Sequence, residues 1–70
     1  MKLKINGEIK NINTANQVFS LEDLIKHLGN QPQLVVVELN GIIIDPRNWR
    51  ITKIKERDCL EIVTIVGGGS

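Results

Sequence analysis

The sequence predicts an α+β fold, a mixed sheet of four to five strands with one helix packed on one face. Three observations predict it. Asn6-Gly7 and Asn40-Gly41 each lie between short apolar segments, and Asn-Gly accepts the positive φ angles of a tight hairpin turn. Between those two pairs, the stretch from Ser20 to Gly29 repeats its apolar residues at helical spacing. After the second pair, Cys59 to Val66 alternates as a strand and runs straight into glycines.

The first strand rests on Leu3 and Ile5 alternating with Lys2, Lys4 and Asn6, the pattern of a half-buried strand. Its hairpin partner runs over about Glu8 to Ile12, where Ile9 and Ile12 break strict alternation and leave the register open. The helix begins at Ser20, which caps it, with Asp23 three residues on as a capping box. Phe19 before the cap and Leu24 inside it have the spacing of a hydrophobic staple. Leu21, Leu24, Ile25 and Leu28 make the apolar face. Gly29 stops the helix, since glycine takes the left-handed cap without a side-chain clash. Lys26 and His27 stand near the negative end of its dipole.

After Asn30-Gln31-Pro32, the β-branched run Leu34 to Leu39 reads as a strand, paired through Asn40-Gly41 with Ile42-Ile43-Ile44. Asp45-Pro46-Arg47-Asn48 is a turn, or a short helical turn with proline in its first position. In the last strand Leu60, Ile62, Thr64 and Val66 point one way, and Glu61, Val63 and Ile65 the other.

Only a sheet can bury Leu21, Leu24 and Leu28, so the helix covers one face of it. A last strand placed beside the first, at the centre, is parallel to it through a right-handed crossover. That arrangement is the β-grasp, or ubiquitin-like, fold. Periodicity is equally compatible with other two-layer α+β sheets. The expected organisation is a domain over residues 1–66 and a flexible glycine tail over 67–70. Val63 and Ile65 then fall on the face the helix leaves open, where exposed apolar residues are either ordinary scatter or a partner site.

Seventy residues make one domain with a thin core. An enclosed ligand pocket of roughly 300–1,000 Å³ would consume that core, so composition leans away from a self-contained enzyme. The net charge of +1, with acids and bases interspersed, gives no broad footprint for nucleic acid. The densest basic stretch, Arg47, Arg50, Lys53, Lys55 and Arg57, is diluted by Glu56. It reads as a solvated connection or as a docking patch for an acidic partner surface. One cysteine excludes an internal disulfide and fits a reducing setting. No apolar run approaches the roughly 20 residues that span a bilayer, and the N-terminus lacks the apolar block of a signal peptide. A cytoplasmic protein without membrane association is expected.

Gly67-Gly68-Gly69-Ser70 follows the last strand directly. By composition it is either a frayed terminus or linker, or a bare backbone projecting from a rigid strand. Four extended residues reach roughly 13 Å. Without Cβ atoms they thread a slot that no other residue fits. The group carried there is a terminal carboxylate, ionised at neutral pH. It is a poor electrophile until a partner gives it a good leaving group.

Two segments carry a family resemblance. They are Asn40-Gly41-Ile42-Ile43-Ile44-Asp45-Pro46-Arg47-Asn48-Trp49 and Arg57-Asp58-Cys59-Leu60-Glu61-Ile62-Val63-Thr64-Ile65-Val66-Gly67-Gly68. In order and spacing the chain resembles the ThiS-type sulfur carriers of thiamine biosynthesis. The resemblance implies that a ThiF-type adenylyltransferase, itself using ATP, attaches AMP to the terminal glycine carboxylate. A sulfur donor protein then leaves a thiocarboxylate, whose sulfur thiazole synthase (ThiG-type) builds into the thiazole ring. It implies no cofactor held by the carrier. The sulfur-carrying end falls on Gly67, Gly68 and Gly69, and the docking surface on Val63, Ile65 and Val66. The family ends in glycine and this chain in Ser70. Ser70 is therefore trimmed, left from cloning, or tolerated by the activating partner. Arg57 stands where the family commonly has glycine, which alters a turn and not the chemistry.

Other chemistry is poorly served. Cys59 has no nearby base in sequence, His27 is the one histidine, and adjacent Glu22 and Asp23 face apart on a helix. Trp49 reads as a cover over a core edge. Two alternatives stay open beside the thiamine carrier. One is a molybdopterin synthase small-subunit-like carrier, and the other a ubiquitin-like binding module with no tail chemistry.

Overall fold

The computed structural model describes residues 1–13 and 19–65. Strands β1 (Lys2–Ile5) and β2 (Glu8–Asn11) form the first hairpin, followed by helix α1 (Leu21–His27). Strands β3 (Val35–Leu39) and β4 (Ile42–Ile43) form the second hairpin, and β5 (Cys59–Thr64) closes the fold. Short 3₁₀ turns occupy Pro32–Leu34 and Pro46–Asn48. The sheet order is β2-β1-β5-β3-β4. The last strand is central, parallel to β1 through Lys4↔Cys59 and Ile5↔Leu60, and antiparallel to β3 from Val35↔Thr64 to Leu39↔Leu60. The β-grasp expectation holds, with five strands.

Both Asn-Gly turns take the conformation that their chemistry favours. Asn6 and Gly7 have φ of 52° and 83°, and Asn40 and Gly41 have 51° and 89°. Ser20 accepts from the Asp23 backbone N–H at 3.1 Å while Asp23 accepts from the Ser20 N–H at 3.1 Å, completing the capping box. Leu28 is the C-cap and Gly29 turns left-handed at φ 81°. Phe19 packs on the core and sets its ring edge-on to His27, 6.3 Å between centroids.

The core lies between α1 and one sheet face. It comprises Leu3, Ile5, Ile12, Leu21, Leu24, Ile25, Val35, Val37, Trp49, Ile54 and Leu60. Ile12, just past β2, turns inward, while Ile9 lies on the other face opposite Lys4. Two isoleucines three positions apart in a strand point to opposite faces, which accounts for the broken alternation. Trp49 is fully buried and donates its Nε1–H to the Ile44 carbonyl at 3.0 Å. Its own carbonyl accepts from Glu22 N–H at 3.2 Å, and the Thr52 carbonyl accepts from Leu21 N–H at 2.7 Å. The 49–52 segment thus satisfies donors that the first turn of a helix leaves orphaned.

Four boundaries move by a residue or two, the end of β2 falling at Asn11 and not at Ile12. Leu34 ends a 3₁₀ turn before β3, Ile44 leaves β4, and β5 ends at Thr64. The backbone stays tied beyond that end, since Ile65 donates to the Leu34 carbonyl at 2.6 Å. Asp45 caps the second 3₁₀ turn by accepting from Arg47 N–H at 2.8 Å. The Arg47 side-chain hydrogen bonds hold the Asp45 carboxyl below its ordinary 3.8. The basic stretch is largely a solvated connection, with Arg50, Lys53, Lys55 and Arg57 exposed. It is also anchored, because Ile54 is buried and Ile54 N–H donates to the Phe19 carbonyl at 2.9 Å.

Candidate functional site

Strand β5 positions the candidate site, and the two Asn-Gly turns hold β5. The Asn6 side chain accepts from Ile62 N–H at 2.7 Å and donates to the Ile62 carbonyl at 3.2 Å. The Asn40 side chain accepts from Cys59 N–H at 2.9 Å and donates to Asp58 at 3.1 Å. Asn6 bonds both backbone groups of Ile62 like an added strand residue, and Asn40 ties the Cys59 N–H and the Asp58 carboxylate, so β5 is clamped near its start and near its middle. The last described residue, Ile65, is fixed to Leu34 at the start of β3. Whatever follows therefore departs from a rigid point. Val66, Gly67, Gly68 and Gly69 lie outside the described residues, as does Ser70.

The face opposite α1 carries no second layer among the described residues. Alternation along the strands brings Ile9, Lys4, Cys59, Glu61, Val63, Val36, Glu38 and Ile43 onto it, through the pairs Lys4↔Ile9, Lys4↔Cys59, Glu38↔Glu61, Val36↔Val63 and Glu38↔Ile43. Val63 is 61% exposed, Ile65 50% and Ile43 67%. The sequence placed Val63 and Ile65 on the open face; register puts Val63 there opposite Val36, while Ile65, exposed, lies past the end of β5 where no pairing assigns it a face. The sequence did not supply the neighbours Val36 and Ile43, because cross-strand register is a long-range property.

Charge on this face is unevenly spread. Glu38 and Glu61 stand directly opposite each other. Ion pairs among the described residues join Lys10 to Glu8, Lys26 to Glu22 and Arg47 to Asp45, and none involves these two acids. Like charges directly opposite on a sheet are destabilising. At the Cys59 end of β5 an open concavity of about 410 Å³ is lined by Lys2, Leu3, Lys4, Ile9, Arg57 and Cys59. Near the Ile65 end a second, of about 490 Å³, is bounded by Glu22, Val36, Pro46, Trp49 and Ile65.

The bland readings of the single chemical residues stand in the geometry. Cys59 is an exposed free thiol, His27 lies exposed on the helix, and Trp49 is a core side chain. Among the described residues no three His, Cys, Asp or Glu side chains gather to hold a metal ion. None of their helices is long and apolar enough to cross a membrane. What the face can do chemically is dock. The remaining candidates for covalent chemistry are the residues beyond Ile65.

Comparison with known proteins bears on those residues. The family model described as the ThiS family matches residues 3–69. The ycf40 protein of Trieres chinensis is 42% identical over 66 residues, 93% of this chain and 85% of its own. The protein named sulfur carrier protein ThiS of Bacillus subtilis is 31% identical over 67 residues, covering 96% of this chain and 98% of its own. A thiazole synthase of Paramagnetospirillum magneticum is 37% identical over 70 residues, all of this chain but 21% of that protein. Among solved structures, the ThiS thiamine biosynthesis protein of Geobacter metallireducens superposes with a TM-score of 0.82 at 30% identity, covering 99% of this chain and 100% of that one.

Proposed function

The chain belongs to the ThiS family, and from that premise we propose that it is a sulfur carrier protein of thiamine biosynthesis, acted on by partner enzymes and not itself an enzyme. The carrying end is the Gly67-Gly68-Gly69 run. An ATP-using adenylyltransferase first joins AMP to the terminal carboxylate: a carboxylate oxygen attacks the α-phosphorus and pyrophosphate leaves. Sulfur at the oxidation level of sulfide then attacks the acyl carbon, the bond to the AMP oxygen breaks, and a terminal thiocarboxylate remains, on glycine where hydrolysis of the Gly69–Ser70 peptide bond has first removed Ser70. Thiazole synthase takes that sulfur.

The observation that carries this reading is the match through residue 69, which includes the glycines themselves. Two further facts support it. The strand leading to the glycines is the most tightly held in the sheet, hydrogen-bonded on both sides and clamped by Asn6 and Asn40. A chain named thiazole synthase also contains a segment 37% identical to this whole chain, as expected when carrier and sulfur acceptor work together. Val63 on the open face and exposed Ile65 serve as docking residues, with Val66, which lies outside the described residues, as the third.

Intact-mass measurement tests the reading. The full chain, and versions ending at Gly69 and Gly68, are incubated with the adenylyltransferase, ATP and a sulfur source. Replacement of one oxygen by sulfur is expected on at least one of the three. An unchanged mass on all three, with an enzyme active on a known carrier, would sink it. Mass added to lysines of other proteins instead would identify a modifier.

A further inference from the structure

Resting on the carrier reading, we propose that the concavity at the Cys59 end of β5 receives an acidic segment of the partner protein that activates the tail, its carboxylates set against Lys2, Lys4 and Arg57. Three cations line one open depression, and none of them enters an ion pair among the described residues. Glu56 stands near it, accepting from the Lys2 backbone N–H at 2.8 Å, and leaves an excess of positive charge. The walls are partly apolar, from exposed Ile9 and the Cys59 thiol. Such walls strengthen a charge pair relative to open water.

Arg57 supplies the second argument. It is the third residue of a turn closed by Asp58 N–H to the Lys55 carbonyl at 3.1 Å, and its φ is +69°. That position asks for glycine or asparagine, because a Cβ crowds the backbone there. The other two non-glycine residues with positive φ are asparagines, which tolerate it. An arginine held in this conformation, with its side chain lining a cationic concavity, points to a use for the side chain.

The occupant is protein-sized. From Cys59 to Thr64, β5 extends on the order of 20 Å, passing the Glu38–Glu61 pair and the Val36–Val63 apolar pair before the chain leaves the sheet. A small anion would touch only the concavity. A protein lying along the strand meets cationic, acidic and apolar ground in fixed order. That polarity admits one orientation, with the partner's catalytic slot over the exit at Ile65.

The test is ATP–pyrophosphate exchange by the adenylyltransferase with the chain as the varied substrate. Arg57→Gly should raise KM about fivefold with kcat unchanged, and its melting temperature should equal or exceed that of wild type, since glycine relieves the turn. Lys4→Gln should act in the same direction, and combining the two should raise KM about tenfold or more. Added salt should raise the wild-type KM more than that of the double variant. Arg50→Ala, an exposed cation outside the concavity, should match wild type. Wild-type KM values in the Arg57 and Lys4 variants would overturn the proposal and leave the carrier reading intact. The variants are made in whichever form supports exchange, the full chain or a version ending at Gly69 or Gly68, and failure of all three wild-type forms would remove both the proposal and the carrier reading. Saturable inorganic phosphate shifts at the Lys4 and Cys59 amides, without any KM effect of the variants, would mark a small-anion site and also overturn it.

Discussion

Asn6 and Asn40 each do two jobs at the residue scale. Their backbones supply positive φ to a hairpin turn, and their side chains bond the far strand β5. The two roles separate experimentally, because glycine keeps the turn and deletes the clamp. Asn6→Gly should cost about 1–2 kcal/mol, the net worth of two hydrogen bonds that β5 loses, read from the shift of a urea unfolding midpoint at constant slope. An unchanged midpoint would mean that water replaces the clamp at no cost. The turn role is legible in the pair Asn-Gly, which needs only local chemistry. The clamp is not, because Asn6 reaches Ile62 across 56 positions, and no local pattern encodes a contact that exists only once β5 has settled beside β1.

At the scale of elements, the helix depends on a segment that is not helical. Alpha-helix N-terminal donors on Leu21 and Glu22 end on Thr52 and Trp49, and Trp49 ends on Ile44, so one indole ties the helix to the second hairpin. Trp49→Ala should cost about 3–5 kcal/mol from the emptied volume alone. A 70-residue domain has roughly 4–10 kcal/mol in total. The variant should therefore be largely unfolded, or show a melting temperature lower by tens of degrees, in thermal circular dichroism. A shift of only a few degrees would remove Trp49 from the core. The helix itself was readable because the Ser20–Asp23 box, the apolar face and Gly29 agree with one another. The segment from Arg50 to Arg57 was readable as a solvated connection or a docking patch, and not as part of the core. A single inward isoleucine, Ile54, among charged residues makes no period, and its burial comes from the bridge between Ser20 and Lys53.

At the scale of the whole molecule, the proposed carrier role assigns folding and function to separate parts of the chain. Among the described residues the core cluster includes none beyond Ile62, and β5 makes its pairings between Cys59 and Thr64. Element order made a central parallel last strand one of a few possible arrangements, since one helix crossing over a sheet leaves few places for it, and the register settles which. The composition of the open face did not follow, because Val36, Ile43 and Glu38 reach Val63 and Glu61 only through register. The glycines, with no side chain, have nothing to bury, whereas the carrier chemistry needs their carboxylate and their narrow backbone. A chain ending at Val66 should thus unfold at the same temperature and urea midpoint as the full chain. It should still compete with the full chain for the adenylyltransferase through the open face, and it should accept neither AMP nor sulfur. Stability lost on removing residues 67–70 would show that they pack against the domain. Activity retained without them would place the chemistry elsewhere in the molecule. Either result contradicts a division in which the sheet holds the strand still and the last residues do the carrying.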